Sequence, residues 1–164
     1  MKTSLFLLCF VFTLSLHGAV YRTPTEQFKP RLEIATLYIE YQDQILLLHR
    51  QNHRPEGNAW GIPGGKVEKG ETPLQAVIRE TREETGFQFP EKSIEKVETL
   101  FIEYDATHHI TYHMFRVKLE GDPSAVKINF EEHKGFTWIT PKDALKLNLM
   151  KEEDTCFKLT YGLS

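Results

Sequence analysis

Apolar residues follow two rhythms along the chain. Leu32 to Tyr41 and Gln44 to His49 are runs of apolar and β-branched residues joined by Gln42-Asp43, the pattern of a β-hairpin. Lys96 to Tyr104, His109 to Leu119 and Phe136 to Ile139 read as further strands, with a turn at Glu120 to Ser124. Between them, Leu74, Val77, Ile78, Thr81 and Thr85 recur at helical spacing and make one stripe. Short helices are expected over Pro141 to Leu147 and Lys151 to Leu159. His53 to Asn58 reads as a loop, and Trp60 to Gly65 leads into the central helix. Strands flanking a central helix, with helices again at the end, predict an α/β layered domain.

The central helix carries its own start and stop signals. Thr72 and Gln75 have capping-box spacing, Pro73 suits the first helical position, and Gly86 suits the C-terminal stop. Beside the apolar stripe lie Glu80, Glu83 and Glu84, which i, i+3, i+4 spacing gathers on one turn. Like charges so placed repel by a few tenths of a kcal/mol per pair. A hard divalent cation removes that cost, because Mg²⁺ takes a few carboxylate oxygens, keeps some waters and meets its substrate through phosphate. Ala76, one turn before Glu80, is expected on the acidic face, where a small side chain leaves room for a ligand. The alternative is a solvated Glu/Arg face with Arg79 and Glu83 as an i, i+4 pair.

The flanking residues shift that balance. Gly65 to Phe87 follows G-x5-E-x7-R-E-U-x-E-E-x-G-U, with U a bulky apolar residue. Gly65, Glu71, Arg79, Glu80, Glu83, Glu84, Gly86 and Phe87 all match, and this stretch resembles the Nudix box of the Nudix hydrolases. One position departs, Thr81, where the family usually has Leu, Ile or Val; it lies on the buried stripe and touches packing more than chemistry. The resemblance covers roughly Arg31 to the C-terminus, tightly in the box and loosely elsewhere. It implies an α/β/α sandwich around a mixed sheet, in a single domain over residues 31–164.

Chemistry follows from the same resemblance. It implies that Glu80, Glu83 and Glu84, with the Gly64 carbonyl, bind Mg²⁺ or Mn²⁺, and that the reaction is hydrolysis of a nucleoside diphosphate linked to another group. A bound metal neutralises phosphoryl oxygens and acidifies the attacking water, and one glutamate takes the proton. Glu80 is read as base, or base and ligand, and Glu83 and Glu84 as ligands. Gly64 and Gly65 make a tight bend that lets a carbonyl approach the metal, and Glu71 and Arg79 can pair to hold the loop against the helix. Glu132, six residues before Trp138, is a further metal candidate, the other reading being a solvated loop acid beside Glu131.

Substrate contacts are less tightly specified. Arg50, at the end of the second strand, can contact a phosphate or be an exposed strand-end arginine. Tyr104 lies 17 residues beyond Phe87, an offset similar to that in dinucleoside polyphosphate hydrolases. The proline expected in ADP-ribose hydrolases is missing, with Ile102 and Glu103 in that region. The wording GKVEKGETPLQAVIRE is most similar to the MutT branch, which cleaves nucleoside triphosphates, and Asn148 is placed to touch a base as an asparagine does there. Trp60 is read as a packing residue, His108 and His109 as surface residues without zinc spacing, and Cys156 as a small core residue.

Composition adds limits. The 164 residues allow one domain with a sizeable core, and a net charge of −3 without a basic stripe gives no sign of a nucleic-acid surface; the small-molecule nucleotide partner is what the resemblance implies. Residues 1–19 stand apart. Lys2 precedes an uncharged apolar run from Leu5 to Leu16, followed by His17-Gly18-Ala19, the layout of a secretory signal peptide. The run is too short for a comfortable membrane span of about 20 residues. Export is therefore expected, to the periplasm or outside, with residues 20–30 as a linker; an uncleaved anchor or a cytoplasmic protein is the alternative. Export favours substrates met there, such as nucleotide sugars or dinucleoside polyphosphates. A nucleotide-binding module without turnover is also open, although such a module is expected to lack a box glutamate and none is missing.

Overall fold

The computed structural model describes residues 18–164, so residues 1–17 of the leader expected over residues 1–19 lie outside the described residues. Eight strands and three helices are present among these residues. They are β1 (Ala19–Tyr21), β2 (Leu32–Tyr41), β3 (Gln44–Arg50), β4 (Trp60–Gly61), β5 (Gly64–Lys66), α1 (Pro73–Thr85), β6 (Glu95–Glu103), β7 (His109–Lys118), β8 (His133–Ile139), α2 (Pro141–Ala144) and α3 (Glu153–Tyr161). One mixed sheet runs β1-β6-β7-β2-β3-β4, with β5 on β2 and β8 on β3. Among the pairings between these strands only β2–β7 is parallel, and an isolated parallel bridge joins Trp60 to Leu149.

β2 is buried on both faces, which explains its nearly continuous apolar run. Ala35, Leu37 and Ile39 pack with Ala76 and Val77 of α1, while Tyr38, on the other face, packs with Cys156 and Phe157 of α3. The expected α/β/α sandwich is therefore present, and Cys156 is a core residue as expected.

The hairpin β2–β3 pairs only at its turn end, Glu40 with Ile45 and Tyr41 with Gln44. Beyond that the strands part. β5 enters the gap and pairs with Ile34 to Thr36, Leu37 N–H donates to the Pro63 carbonyl at 2.9 Å, and β4 pairs with Leu48 and His49 of β3. The segment read only as a lead-in to the box is thus two short strands. Glycine-rich and interrupted by Pro63, it carries no period-2 signal, and only the open edges of β2 and β3 make it extended.

Other differences have similar causes. Val20 and Tyr21, read as linker, belong to β1 and pair with Ile102 and Phe101 of β6. Phe28 packs edge-on against Phe101 and stacks on His109, each at 5.2 Å between ring centroids. His109 is consequently buried, not at the surface, and its Nδ1 accepts from the Lys29 N–H at 2.9 Å. His108 is exposed as expected, against Asp105.

Ala76 is the clearest correction. It is fully buried in the α1–sheet core, not on an open acidic face, so its small side chain brings the helix close to the sheet. The buried side of α1 is turned toward Ala76, Val77, Thr81, Glu84 and Thr85. Ala76→Leu is therefore expected to overpack this contact and cost about 1–3 kcal/mol. At the usual size scaling that lowers Tm by roughly 2–10 °C; a calorimetric Tm equal to wild type would return Ala76 to the solvent side.

Candidate active site

α1 begins and ends as its sequence requires. The Thr72 side chain accepts from Gln75 N–H at 3.2 Å while the Gln75 side chain accepts from Thr72 N–H at 2.8 Å, a closed capping box. Gly86, at φ 75°, takes the left-handed conformation that ends the helix, and its N–H donates to the Arg82 carbonyl at 3.0 Å.

Arg79 organises the acids near the start of that helix. Its Nη2 is 2.7 Å from Glu71 Oε1 and 3.1 Å from the Lys66 carbonyl, and its Nη1 is 2.8 Å from Glu80 Oε1 and 3.5 Å from Glu83. Both the expected Glu71–Arg79 clamp and the alternative Arg79–Glu83 pair are thus present on one guanidinium. The Arg79 hydrogen bond, with the Glu68 N–H, holds the Glu71 carboxyl below its usual range. Glu80 moves the other way: burial pushes it up, and nearby Glu84 and Glu83 add to this against the pull of Arg79.

The three box glutamates therefore differ. Glu83 is half exposed, with 50% of its side-chain surface open, whereas Glu84 keeps only 5%. A carboxylate so buried needs partners. Glu84 accepts the Gly64 N–H at 2.8 Å on one oxygen and meets His133 Nε2 at 2.8 Å on the other. Gly64 has φ 152°, and a side chain there would run into the Ala35 carbonyl and Thr36 of β2, so glycine is required for this approach. At Gly65 an added methyl would collide with the Glu80 carboxylate.

Donor atoms of Glu84, Glu132 and His133 all lie within 4.8 Å of one another. Glu132 also pairs with Arg54 of the 53–58 loop at 2.7 Å, so it is a partnered acid, not merely a solvated one. Carboxylate oxygens from Glu84 and Glu132 fit a hard divalent ion, and the buried His133 imidazole extends the set toward ions that accept nitrogen, whereas Glu80 and Glu83 are not part of this group. His133 was not singled out from sequence. Its signal was adjacency to Glu132, but nothing local shows that β8 carries it against α1.

A cavity of about 230 Å³ opens beside these acids, lined by Gly64, Gly65 and Glu84 among others. Arg50 and Tyr104 line it too, so the structure brings two of the three substrate candidates to the site. Arg50 is held by donation from Nε to the Pro55 carbonyl at 2.7 Å. Asn148 is not brought there: its Nδ2 donates to the Asn58 carbonyl at 3.1 Å and ties down the neighbouring loop. Trp60 stacks on His49 with ring centroids 4.2 Å apart, as a packing residue.

The cavity also contains groups that sequence reading passed over. Tyr112 O–H donates to Glu153 Oε1 at 2.6 Å, and Glu153 is buried at the start of α3. Burial pushes the Glu153 carboxyl up to about 7, with Glu56 and Asp154 adding and the Tyr112 hydrogen bond opposing. Reading the carboxyl at this position required knowing that α3 packs across β7.

That shift has a defined sign. A glutamate in the unfolded chain titrates near ~4.3, so the folded state holds the proton more tightly. The resulting stability is fully present below about pH 4 and is lost as pH rises through about 7. Comparing urea unfolding of wild type and Glu153→Gln isolates this group. The wild type is expected to lose about 2–3 kcal/mol relative to the variant between pH 5 and pH 8.5. A difference constant with pH would remove the buried acid from the account.

A family model described as the NUDIX domain matches residues 29–159. The CTP pyrophosphohydrolase of Escherichia coli (strain K12) is 31% identical over 126 residues, covering 72% of this chain and 82% of the relative. The 8-oxo-dGTP diphosphatase of the same organism is 38% identical over 96 residues, 57% of this chain and 71% of the relative. Among solved structures, a MutT protein from Methanosarcina mazei Go1 superposes with a TM-score of 0.68 at 24% identity, covering 82% of this chain and 95% of the other, and shares the fold.

Proposed function

The chain belongs to the NUDIX family of hydrolases, and from that premise we propose that it is a Mg²⁺- or Mn²⁺-dependent pyrophosphohydrolase of nucleoside triphosphates or closely related nucleotides. One observation carries this reading: Gly64, Gly65 and the box glutamate Glu84 line one cavity, and the Glu80 carboxylate lies against Gly65 at its wall. The relatives named for CTP and for 8-oxo-dGTP support a triphosphate substrate.

Roles follow from the different surroundings of the acids. Glu83 and Glu84, with Glu132 and the Gly64 carbonyl, are the residues that would hold the ion. When bound, a divalent cation supplies charge neutralisation at the diphosphate oxygens and acidifies the attacking water. Glu80 suits the base, since burial raises its proton affinity above that of an ordinary glutamate. Water oxygen attacks phosphorus, its proton passes to Glu80, and the bond from phosphorus to the bridging oxygen breaks. Arg79 fixes Glu80 through Nη1 and does not itself need to move. Arg50, at the cavity wall, is placed to meet a phosphate oxygen.

Glu83→Gln is the cleanest test, because this side chain is half exposed and its removal leaves no buried polar group orphaned. Against a panel of nucleoside triphosphates, nucleotide sugars, ADP-ribose and Ap4A, turnover is expected to fall at least about 100-fold in the variant. Removal of divalent ions with EDTA is expected to abolish it. Wild-type turnover in either experiment would sink the metal assignment.

Export remains part of the proposal, carried by the basic residue and apolar run at Lys2 and Leu5 to Leu16. Dinucleoside polyphosphates and nucleotide sugars are then the second substrate reading, favoured by Tyr104 at the cavity wall. Among the described residues no helix is long and apolar enough to cross a membrane. N-terminal sequencing of the expressed protein is expected to find a start near Val20; an intact Met1 on soluble cytosolic protein refutes cleavage.

A further inference from the structure

One ion pair beside the box acids is poorly explained by stability. Arg54 Nη2 lies 2.7 Å from Glu132 Oε2, with 37% and 32% of the two side chains exposed. A pair so open to water contributes little. Its setting is also incomplete, since Arg54 Nε is buried and has no hydrogen-bond partner among the described residues. A buried N–H without an acceptor is costly, so the guanidinium rests where only part of its fork is used.

The backbone around the pair is, by contrast, well tied. Gln51 N–H donates to the Glu132 carbonyl at 2.8 Å, and Arg54 N–H donates to the Gln51 carbonyl at 3.2 Å. Arg50 Nε donates to the Pro55 carbonyl at 2.7 Å. Loop and acid are thus fixed to each other, and the long Arg54 side chain, rich in rotamers, is the part able to change partner. Ligand atoms of Glu132, Glu84 and His133 fall within 4.8 Å of one another. The guanidinium therefore stands at the edge of the group that would hold a divalent ion, and Arg50 lines the adjoining cavity.

Charge decides what this placement does. A cation on Glu132 while Arg54 stays on the same carboxylate brings two positive groups within a few ångströms, where repulsion is strong in a partly buried site. A diphosphate relieves it, because its oxygens offer a planar guanidinium two acceptors at once.

We propose that Arg54 is an exchangeable counter-charge: it neutralises Glu132 until a divalent ion takes that carboxylate, and then turns to an oxygen of the substrate diphosphate. The inference rests on the reading of this centre as a metal-dependent diphosphate site. Ion and diphosphate are thereby coupled through one side chain, and such coupling is reciprocal. The ion alone has to displace Arg54, whereas the ion with a diphosphate gains it as a partner. Removing Arg54 therefore acts in opposite directions on the two ligands, which a residue that only props the loop does not do.

Mn²⁺ binding to the full chain is measured by electron paramagnetic resonance, alone and with methylenediphosphonate, which cannot be hydrolysed. Arg54→Gln is expected to bind Mn²⁺ alone at least about threefold more tightly than wild type. With saturating Mn²⁺ it is expected to bind methylenediphosphonate at least about tenfold more weakly. In a Glu132→Gln background the same substitution is expected to change Mn²⁺ affinity by less than about twofold, since the pair is already broken. Mn²⁺ bound no more tightly by Arg54→Gln, diphosphonate bound equally by both, tightening that persists without Glu132, or a variant that fails to fold overturns the inference. Wild type that binds no Mn²⁺, even with diphosphonate, defeats the metal reading and this inference together; Mn²⁺ binding indifferent to Arg54 defeats the inference alone. Nucleotide turnover is followed in parallel. Coupled binding without turnover sustains the role of Arg54 and defeats the proposed reaction.

Discussion

The hydrogen bond from Gly64 N–H to the buried Glu84 carboxylate joins the parts on which the site depends. Glu84 belongs to α1, Gly64 to β5, and β5 is held to the sheet by pairing with Ile34 to Thr36 of β2. Helix, box strand and sheet are therefore fixed to one another through a carboxylate that cannot turn to solvent. Its second oxygen meets His133, which brings β8 into the same unit. A buried acid with both oxygens occupied is a rigid reference point, and the neighbouring, more exposed Glu83 is left adaptable.

Crowding several acids on one helical turn would be unfavourable without compensation. The chain supplies that compensation on two sides. Arg79 takes Glu71 through two nitrogens and Glu80 through a third contact, while Gly64 and His133 take Glu84. The residual imbalance falls on Glu80, which burial and its acidic neighbours leave with a raised proton affinity. Two buried carboxylates line one cavity with distinct surroundings: Glu84 with both oxygens occupied near the box, and Glu153 bonded to Tyr112 through one oxygen.

Local signals were the legible ones. The capping box at Thr72 and Gln75, the left-handed Gly86 and the acid spacing are all decided within a few residues, and the structure has them as expected. The strand over Leu32 to Tyr41 was legible because both its faces are buried and its composition is correspondingly apolar. Ala76 was misplaced because periodicity defines a stripe only to within a residue, and Thr81 and Glu84 are polar residues on the buried side. β4 and β5 were invisible, since Trp60, Gly61, Gly64 and Gly65 become strand only by filling the edges that β2 and β3 leave open.

By itself, then, the sequence determined the α/β class, the central helix with its boundaries, and the clustering of Glu80, Glu83 and Glu84 with Glu71 and Arg79. These depend on interactions between residues close in the chain, or on a spacing that one helix converts directly into a face. Only the tertiary structure decided that Glu84 is buried while Glu83 is open, that His133 joins it across 49 residues, and that Tyr112 and Glu153 meet across 41. Burial and long-range pairing are properties of the packed sheet and helices, and no local pattern encodes which side chain the rest of the chain will cover.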